Sequence, residues 1–74
     1  MAFAVERSKK AGNDAFVSGH HREAVRLYTQ AIAGDPTDKA LFSNRSAASL
    51  ALGHHDDALA DAAACVSLAR GGNP

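Results

Sequence analysis

Two pairs of adjacent histidines are the first side chains in this sequence that could bind a metal ion or move a proton: His20 with His21, and His54 with His55. On a helix, the side chains of adjacent residues point about 100° apart, so the two members of a pair do not face one ion. Neither a cysteine nor a carboxylate stands near them at the spacing of a zinc site. We interpret the pairs as residues of turns between helices, and we expect no metal and no cofactor.

One cysteine and a group of aspartates are the remaining candidates for catalysis. Cys65 lies on an alanine-rich helical stripe, and we interpret it as part of the core. Asp56, Asp57 and Asp61 stand near the start of the last predicted helix, whose dipole favours carboxylates, so we interpret them as a solvated face. The sequence shows no nucleophile in helical register with a base and no phosphate-binding glycine loop. We therefore predict that the chain is not an enzyme.

Length and charge narrow the class of protein further. The 74 residues form one domain at most, with a thin core. Eight basic and eight acidic residues are spread along the chain, which gives nucleic acid or an anionic membrane no basic stripe to bind. The single cysteine excludes an internal disulfide, and no segment reaches the apolar length of a membrane span. We expect a cytoplasmic chain without nucleic-acid or membrane partners.

Glycine, proline and apolar spacing predict an all-α fold of four helices, near residues 3–18, 21–34, 38–52 and 55–69. Gly19 and Gly53 stand where a residue in the left-handed conformation would end the first helix of each pair. Pro36 ends the second helix, and Thr37 or Asp38 can cap the third.

Each second helix carries an apolar stripe that we expect to pack inward. The stripes are Ala24, Tyr28, Ala31 and Ile32 in the first pair, and Ala58, Ala62, Cys65 and Val66 in the second. Gly12 interrupts the first helix, at a position where glycine costs ~1 kcal/mol relative to alanine. We explain it by a second-helix backbone that comes too close for a Cβ atom.

The sequence repeats itself at an offset of 34 residues. The tripeptide Gly-His-His that begins at residue 19 falls on the same tripeptide at residue 53, and Ala24 falls on Ala58. A match sustained at this period indicates stacked helix–turn–helix units. We expect a single domain over 1–74 with repeats at 5–38 and 39–72, and with no third repeat or capping helix. The uncovered last helix then offers a surface for self-association.

Small residues at fixed positions resemble the tetratricopeptide repeat. The segment S-K-K-A-G-N-D-A from residue 8 stands in place of W-x2-L-G-x2-Y, and Ala24, Tyr28 and Pro36 follow it. Ser8 and Ala15 replace the large residues of that pattern. The resemblance implies two repeats that form part of a right-handed α-solenoid.

Three segments resemble more narrowly the carboxylate-clamp repeats of co-chaperones: K-K-A-G-N-D-A-F at 9–16, Y-T-Q-A-I at 28–32, and S-N-R-S-A-A at 43–48. This resemblance implies a chaperone-binding module of the cytoplasm. Its groove would hold the acidic C-terminal tail, of the Glu-Glu-Val-Asp type, of seventy- or ninety-kilodalton heat-shock chaperones.

The resemblance assigns Lys9, Asn13 and Asn44 to the ligand's carboxylates, and Phe16 and Ala47 to its apolar side chains. Lys9 and Asn13 are four residues apart, so they share one helix face. Two further basic donors of the clamp would come from a third repeat, and their loss would weaken binding by roughly 3–6 kcal/mol. The alternatives are that these are ordinary surface residues and that the groove binds another helix, as a structural assembly element.

Overall fold

The computed structural model describes the backbone of residues 2–71 and the side chains of residues 4–71. The described part of the chain forms four helices and no strand: α1 (Ala2–Val17), α2 (His21–Gly34), α3 (Lys39–Ala51) and α4 (His55–Ala69). The predicted bounds agree with these within one residue, and the all-α prediction is confirmed. None of these helices is both long enough and apolar enough to cross a membrane.

Tight glycine turns join the helices within each of the two hairpins, α1–α2 and α3–α4. Gly19 and Gly53 have φ angles of +82° and +80°, which a residue with a Cβ atom rarely adopts. In both hairpins the residue after the glycine donates its N–H to a carbonyl five residues back: His20 to Ala15 at 2.8 Å, and His54 to Ser49 at 2.9 Å. These are the hydrogen bonds of a Schellman motif, and the predicted glycine stops are confirmed.

The turn between α2 and α3 is held by two aspartates. The Asp35 carboxylate accepts hydrogen bonds from the Thr37 hydroxyl at 2.7 Å and the Thr37 backbone N–H at 3.1 Å. These bonds, with a smaller contribution from the Lys9 charge, hold the pKa of Asp35 below its usual value. Asp38 Oδ1 accepts from the Ala40 N–H at 3.0 Å. Of the two predicted caps for α3, Asp38 is therefore the one used.

The hydrophobic core is shared by α1, α2 and α3 and is built largely from small residues. Its two largest fully buried side chains are Tyr28 and Leu41. Alanines of α2 and α3 that have no exposed surface surround them: Ala24, Ala31 and Ala48. The four-helix unit is only 15 Å thick along its shortest axis, which agrees with the thin core expected from the length of the chain.

Gly12 is buried beneath the ring of Tyr28. A Cβ atom at residue 12 would lie 2.8 Å from Tyr28 Cδ1 and Cε1. The sequence correctly predicts that no Cβ fits here, but the obstacle is an aromatic side chain rather than the backbone of α2. The close approach of α1 and α2 at this point therefore depends on glycine.

The apolar stripe predicted for α4 is only partly correct. Ala58 is buried, but Ala62 is exposed, Val66 keeps 55% of its surface and Cys65 is half-buried. Among the described helices, α4 packs against α3 alone. It therefore buries a narrower face than α2, which contacts both α1 and α3.

We expect Gly12→Ala to destabilise the fold. The added methyl group overlaps the Tyr28 ring, and overpacking of this kind costs about 1–3 kcal/mol, against a gain of about 1 kcal/mol in helix propensity. Urea unfolding followed by circular dichroism measures the net loss. In a Tyr28→Leu background, where the ring is gone, the same substitution should be neutral or stabilising. A more stable single variant Gly12→Ala would contradict the packing that we describe.

Candidate functional site

Asn13 of α1 and Asn44 of α3 lie side by side although 31 residues separate them in the sequence. Asn44 Nδ2 donates a hydrogen bond to Asn13 Oδ1 at 3.3 Å. Both residues belong to the first helix of their hairpin, so the stacking of the hairpins brings the two amides together. Two of the three side chains assigned to carboxylate binding thus form one polar cluster.

Tyr28 fixes the orientation of the Asn13 amide. Its hydroxyl donates to Asn13 Oδ1 at 2.6 Å, while the tyrosine as a whole keeps 2% of its surface. Burial raises the pKa of the Tyr28 phenol, so the hydroxyl remains a proton donor. Because Oδ1 accepts from both Tyr28 and Asn44, the Nδ2 donors of Asn13 point away from these partners. Within residues 4–71 they make no hydrogen bond.

Sequence reasoning missed this role of Tyr28. The spacing of apolar residues assigned Tyr28 to the core, and the structure confirms that assignment. A hydroxyl group on an otherwise apolar stripe was the only signal of a polar partner, since a buried phenol must find one. The sequence gives no register between α1 and α2 that would identify Asn13 as that partner.

Lys9, the third residue assigned to carboxylate binding, forms an ion pair with Asp38. Its Nζ atom lies 3.0 Å from Asp38 Oδ2, and the two side chains keep 29% and 24% of their surface. The neighbouring Lys10 instead pairs along α1 with Asp14, and both of those side chains are largely exposed. An ammonium group has three N–H donors, so Lys9 can hold Asp38 and a second acceptor together.

Phe16 and Ala47, the two residues assigned to apolar contacts, differ in how much of each side chain is buried within the chain. Phe16 is half-buried against the core, and its ring meets the ring of His21 edge-on, with centroids 5.2 Å apart. Ala47 is exposed on α3, three residues after Asn44. Phe16 is thus engaged with the core and with His21, whereas the methyl group of Ala47 is exposed.

The histidines and aspartates form no cluster of metal ligands in the described structure. Within residues 2–71, no group of three or more His, Cys, Asp or Glu side chains is placed to hold a metal ion. His20 and His54 precede α2 and α4, while His21 and His55 begin those helices, as expected for residues at turns. His21 packs on Phe16, whereas His55 is exposed.

Asp61 corrects the prediction of a solvated acidic face on α4. The residue keeps 5% of its surface and forms a two-pronged ion pair with Arg45 of α3, with Nε–Oδ2 at 2.8 Å and Nη2–Oδ1 at 2.6 Å. This pairing raises the pKa of the Arg45 guanidinium. Arg45 Nη1 also donates to Thr29 Oγ1 of α2 at 3.2 Å. The pair thus joins three helices and has a structural role.

We expect Asp61→Ala to destabilise the fold by about 2–4 kcal/mol, because it leaves Arg45 partly buried without its counter-ion. Thermal and urea unfolding measure this loss. Asp56→Ala removes an exposed carboxylate from the first turn of the same helix, where the dipole favours it, and should cost no more than about 1 kcal/mol. Equal effects of the two substitutions would show that the Arg45–Asp61 pair contributes nothing.

Two similar helical hairpins stack here with polar side chains of α1 and α3 side by side, and their sequences match at an offset of 34 residues. This combination is consistent with two tetratricopeptide-like helix–turn–helix repeats, in agreement with the pattern of small residues. No family model matches the chain.

Comparison with known proteins identifies a particular group of relatives. The chain is 49% identical to Hsp70-Hsp90 organizing protein 2 of Arabidopsis thaliana over 63 residues, which are 85% of this chain and 11% of that protein. It is 41% identical over 63 residues to an Hsp70-Hsp90 organising protein of Plasmodium falciparum, again 85% of this chain and 25% of the relative. It is 47% identical over 60 residues to the protein STIP1 homolog of Dictyostelium discoideum, 81% of this chain and 11% of that protein.

The chain is therefore similar to a part of the Hsp70-Hsp90 organizing proteins. The sequence predicted a likeness to the first repeats of the heat-shock organising protein, and the likeness to that protein is confirmed. The chain spans between 11% and 25% of the length of these three relatives.

Proposed function

We propose that this chain is a protein-binding module of a co-chaperone or adaptor and not an enzyme. Its ligand is the acidic C-terminal tail, of the Glu-Glu-Val-Asp type, of seventy- or ninety-kilodalton cytosolic heat-shock chaperones. The names of its relatives refer to Hsp70 and Hsp90, which supports this class of partner. The observation that carries the proposal is the Asn13–Asn44 cluster, with its amide donors free and its orientation fixed by Tyr28. A cytoplasmic location follows from the proposal.

A C-terminal aspartate carries two carboxylates a few ångströms apart, and a groove needs several fixed donors to hold them. Asn13 Nδ2 offers two N–H groups and Asn44 Nδ2 offers one beyond its bond to Asn13. Lys9 adds the one positive charge of the set. Because Tyr28 already orients the Asn13 amide, little side-chain entropy is lost when a ligand binds there.

Apolar groups flank the donors on both helices. Phe16 follows Asn13 by three residues on α1, and Ala47 follows Asn44 by three residues on α3, so each lies one helical turn from its amide. A peptide whose carboxylates rest on the amides can place an aliphatic side chain between these two residues. The groove therefore suits a ligand with a branched aliphatic residue beside its terminal acid.

The affinity of this chain alone should be low. Asn13 and Asn44 are uncharged, and Lys9 shares its charge with Asp38. Charge-assisted hydrogen bonds are about twice as strong as neutral ones. Because this site has only one cation among its donors, we expect a dissociation constant of about 1 mM rather than about 1 μM. Nuclear magnetic resonance titration is suited to affinities in this range.

We expect Asn13→Ala to raise the dissociation constant for an acetylated Glu-Glu-Val-Asp peptide about 5- to 20-fold, since oriented donors to a carboxylate are lost. Titration of the isotope-labelled chain with the peptide measures this change. The peptide should also shift the signals of Lys9 and Asn44.

Two controls accompany this titration. Gln30→Ala removes an exposed amide from α2 that makes only a long bond of 3.5 Å with Ser8 Oγ, and it should leave the affinity unchanged. A peptide with an amidated C-terminus should bind more weakly than the free acid. Equal affinity of the parent chain and Asn13→Ala, or no binding of the free acid, would refute the proposed function.

Self-association is the second candidate function, and it rests on α4. Leu59 and Val66 lie seven residues apart on one face of this helix and keep 71% and 55% of their surface. Large apolar side chains exposed in line favour contact with another helix. In this alternative the chain is an assembly element, and its polar groove is incidental.

If the second candidate is correct, the apparent mass measured by light scattering should rise with protein concentration. Leu59→Glu combined with Val66→Glu should abolish this rise, because two charges would be buried in the contact. Val17→Glu, at an exposed valine of α1, is the matched control and should change nothing. A folded parent chain that stays monomeric at every concentration would eliminate this candidate.

A further inference from the structure

Asp38 lies where a carboxylate ligand of Lys9 would have to lie. Its Oδ2 atom is 3.0 Å from Lys9 Nζ, which is the geometry of an ammonium bound to a carboxylate. Both side chains are about three-quarters buried, so the pair is less screened than the exposed Lys10–Asp14 pair. The one charged donor of the proposed groove is therefore already engaged within the chain.

The position of Asp38 is fixed by a second bond. Its Oδ1 atom accepts from the Ala40 N–H at 3.0 Å and so begins α3, while Oδ2 faces Lys9. A side chain held in this way loses little freedom when it pairs with the lysine. A peptide carboxylate must give up its freedom on binding and then share Lys9 with a negative charge already present.

We infer that Asp38 is a specificity-determining residue of the groove, which competes with the ligand's carboxylate for Lys9; this inference rests on the proposed function. A ligand that relies on Lys9 alone gains little, because the ammonium already has a partner. A ligand that also reaches the amides of Asn13 and Asn44 gains bonds that no group of the described structure supplies. Asp38 thus lowers the overall affinity and makes binding depend on the amide pair.

Asp38→Asn separates the two roles of this residue. Asparagine caps helices about as well as aspartate, so the bond to Ala40 can be kept while the negative charge is removed. We expect the dissociation constant for the acetylated Glu-Glu-Val-Asp peptide to fall about two- to fivefold, the range typical of a partly exposed ion pair. The gain should shrink between 10 mM and 500 mM salt, because salt screens the competing charges.

Three further variants give the test its controls. Glu23→Gln removes an equal charge from the Glu23–Arg26 pair of α2 and should leave the affinity unchanged. In the double variant, Lys9→Met should abolish the gain in affinity from Asp38→Asn, because the ammonium group for which Asp38 and the peptide compete is then absent. Asp38→Ser, a second capping residue without charge, should reproduce the gain and guards against a folding defect of Asp38→Asn.

The outcomes separate this inference from the proposed function. If Asn13→Ala weakens binding while Asp38→Asn and Asp38→Ser leave it unchanged, Asp38 does not compete and the inference is wrong, although the groove binds peptide. If Glu23→Gln gives the same gain as Asp38→Asn, the effect is one of net charge and the inference is again wrong. If neither the parent chain nor the Asp38 variants bind the peptide, both proposals are overturned.

Discussion

The contact between Gly12 and Tyr28 is the constraint on which the helix packing and the candidate site both depend. The missing Cβ atom lets the Tyr28 ring lie directly on the backbone of α1. In that position the ring fills the centre of the core, and its hydroxyl reaches Asn13 on the same helix. A larger residue at position 12 would push the two helices apart and would move the hydroxyl away from the amide. The packing of α1 on α2 and the orientation of Asn13 thus both depend on the close approach of the Tyr28 ring to Gly12.

Two adjacent residues of α3 make polar contacts with different helices, one in the candidate site and one in the structural framework. Asn44 faces α1 and bonds to Asn13 in the proposed groove, whereas Arg45 turns toward α2 and α4 and pairs with Asp61. Consecutive helical side chains diverge by about 100°, so neighbours in sequence serve different surfaces. The ion pair holds α3 against α4, and the bond to Thr29 ties the same arginine to α2.

The sequence was sufficient for features that depend on local chemistry. The glycine stops, a cap of α3 at Thr37 or Asp38 and the buried stripe of α2 follow from conformational preference and from the 3.6-residue period. The structure confirms the stops and the stripe and shows that Asp38 is the cap. It was insufficient wherever two distant elements had to be aligned. The Lys9–Asp38 pair, the Tyr28–Asn13 bond and the burial of Asp61 all depend on how helices face one another, which no single helix encodes. The stripe of α4 was predicted only partly correctly for the same reason, since only one of the described helices packs on it.

The one-sided packing of α4 also has a consequence for the dynamics of the chain. Repeat arrays are stabilised by contacts between neighbouring elements, so a helix with one neighbour has fewer such contacts to lose when it opens. Amide hydrogens of α4 in this chain should therefore exchange with solvent faster than those of α2, which is packed on two sides. Opening of α4 alone would leave the Tyr28–Asn13 bond intact, because neither residue belongs to that helix. Disorder in α4 can thus occur while the Tyr28–Asn13 bond is kept.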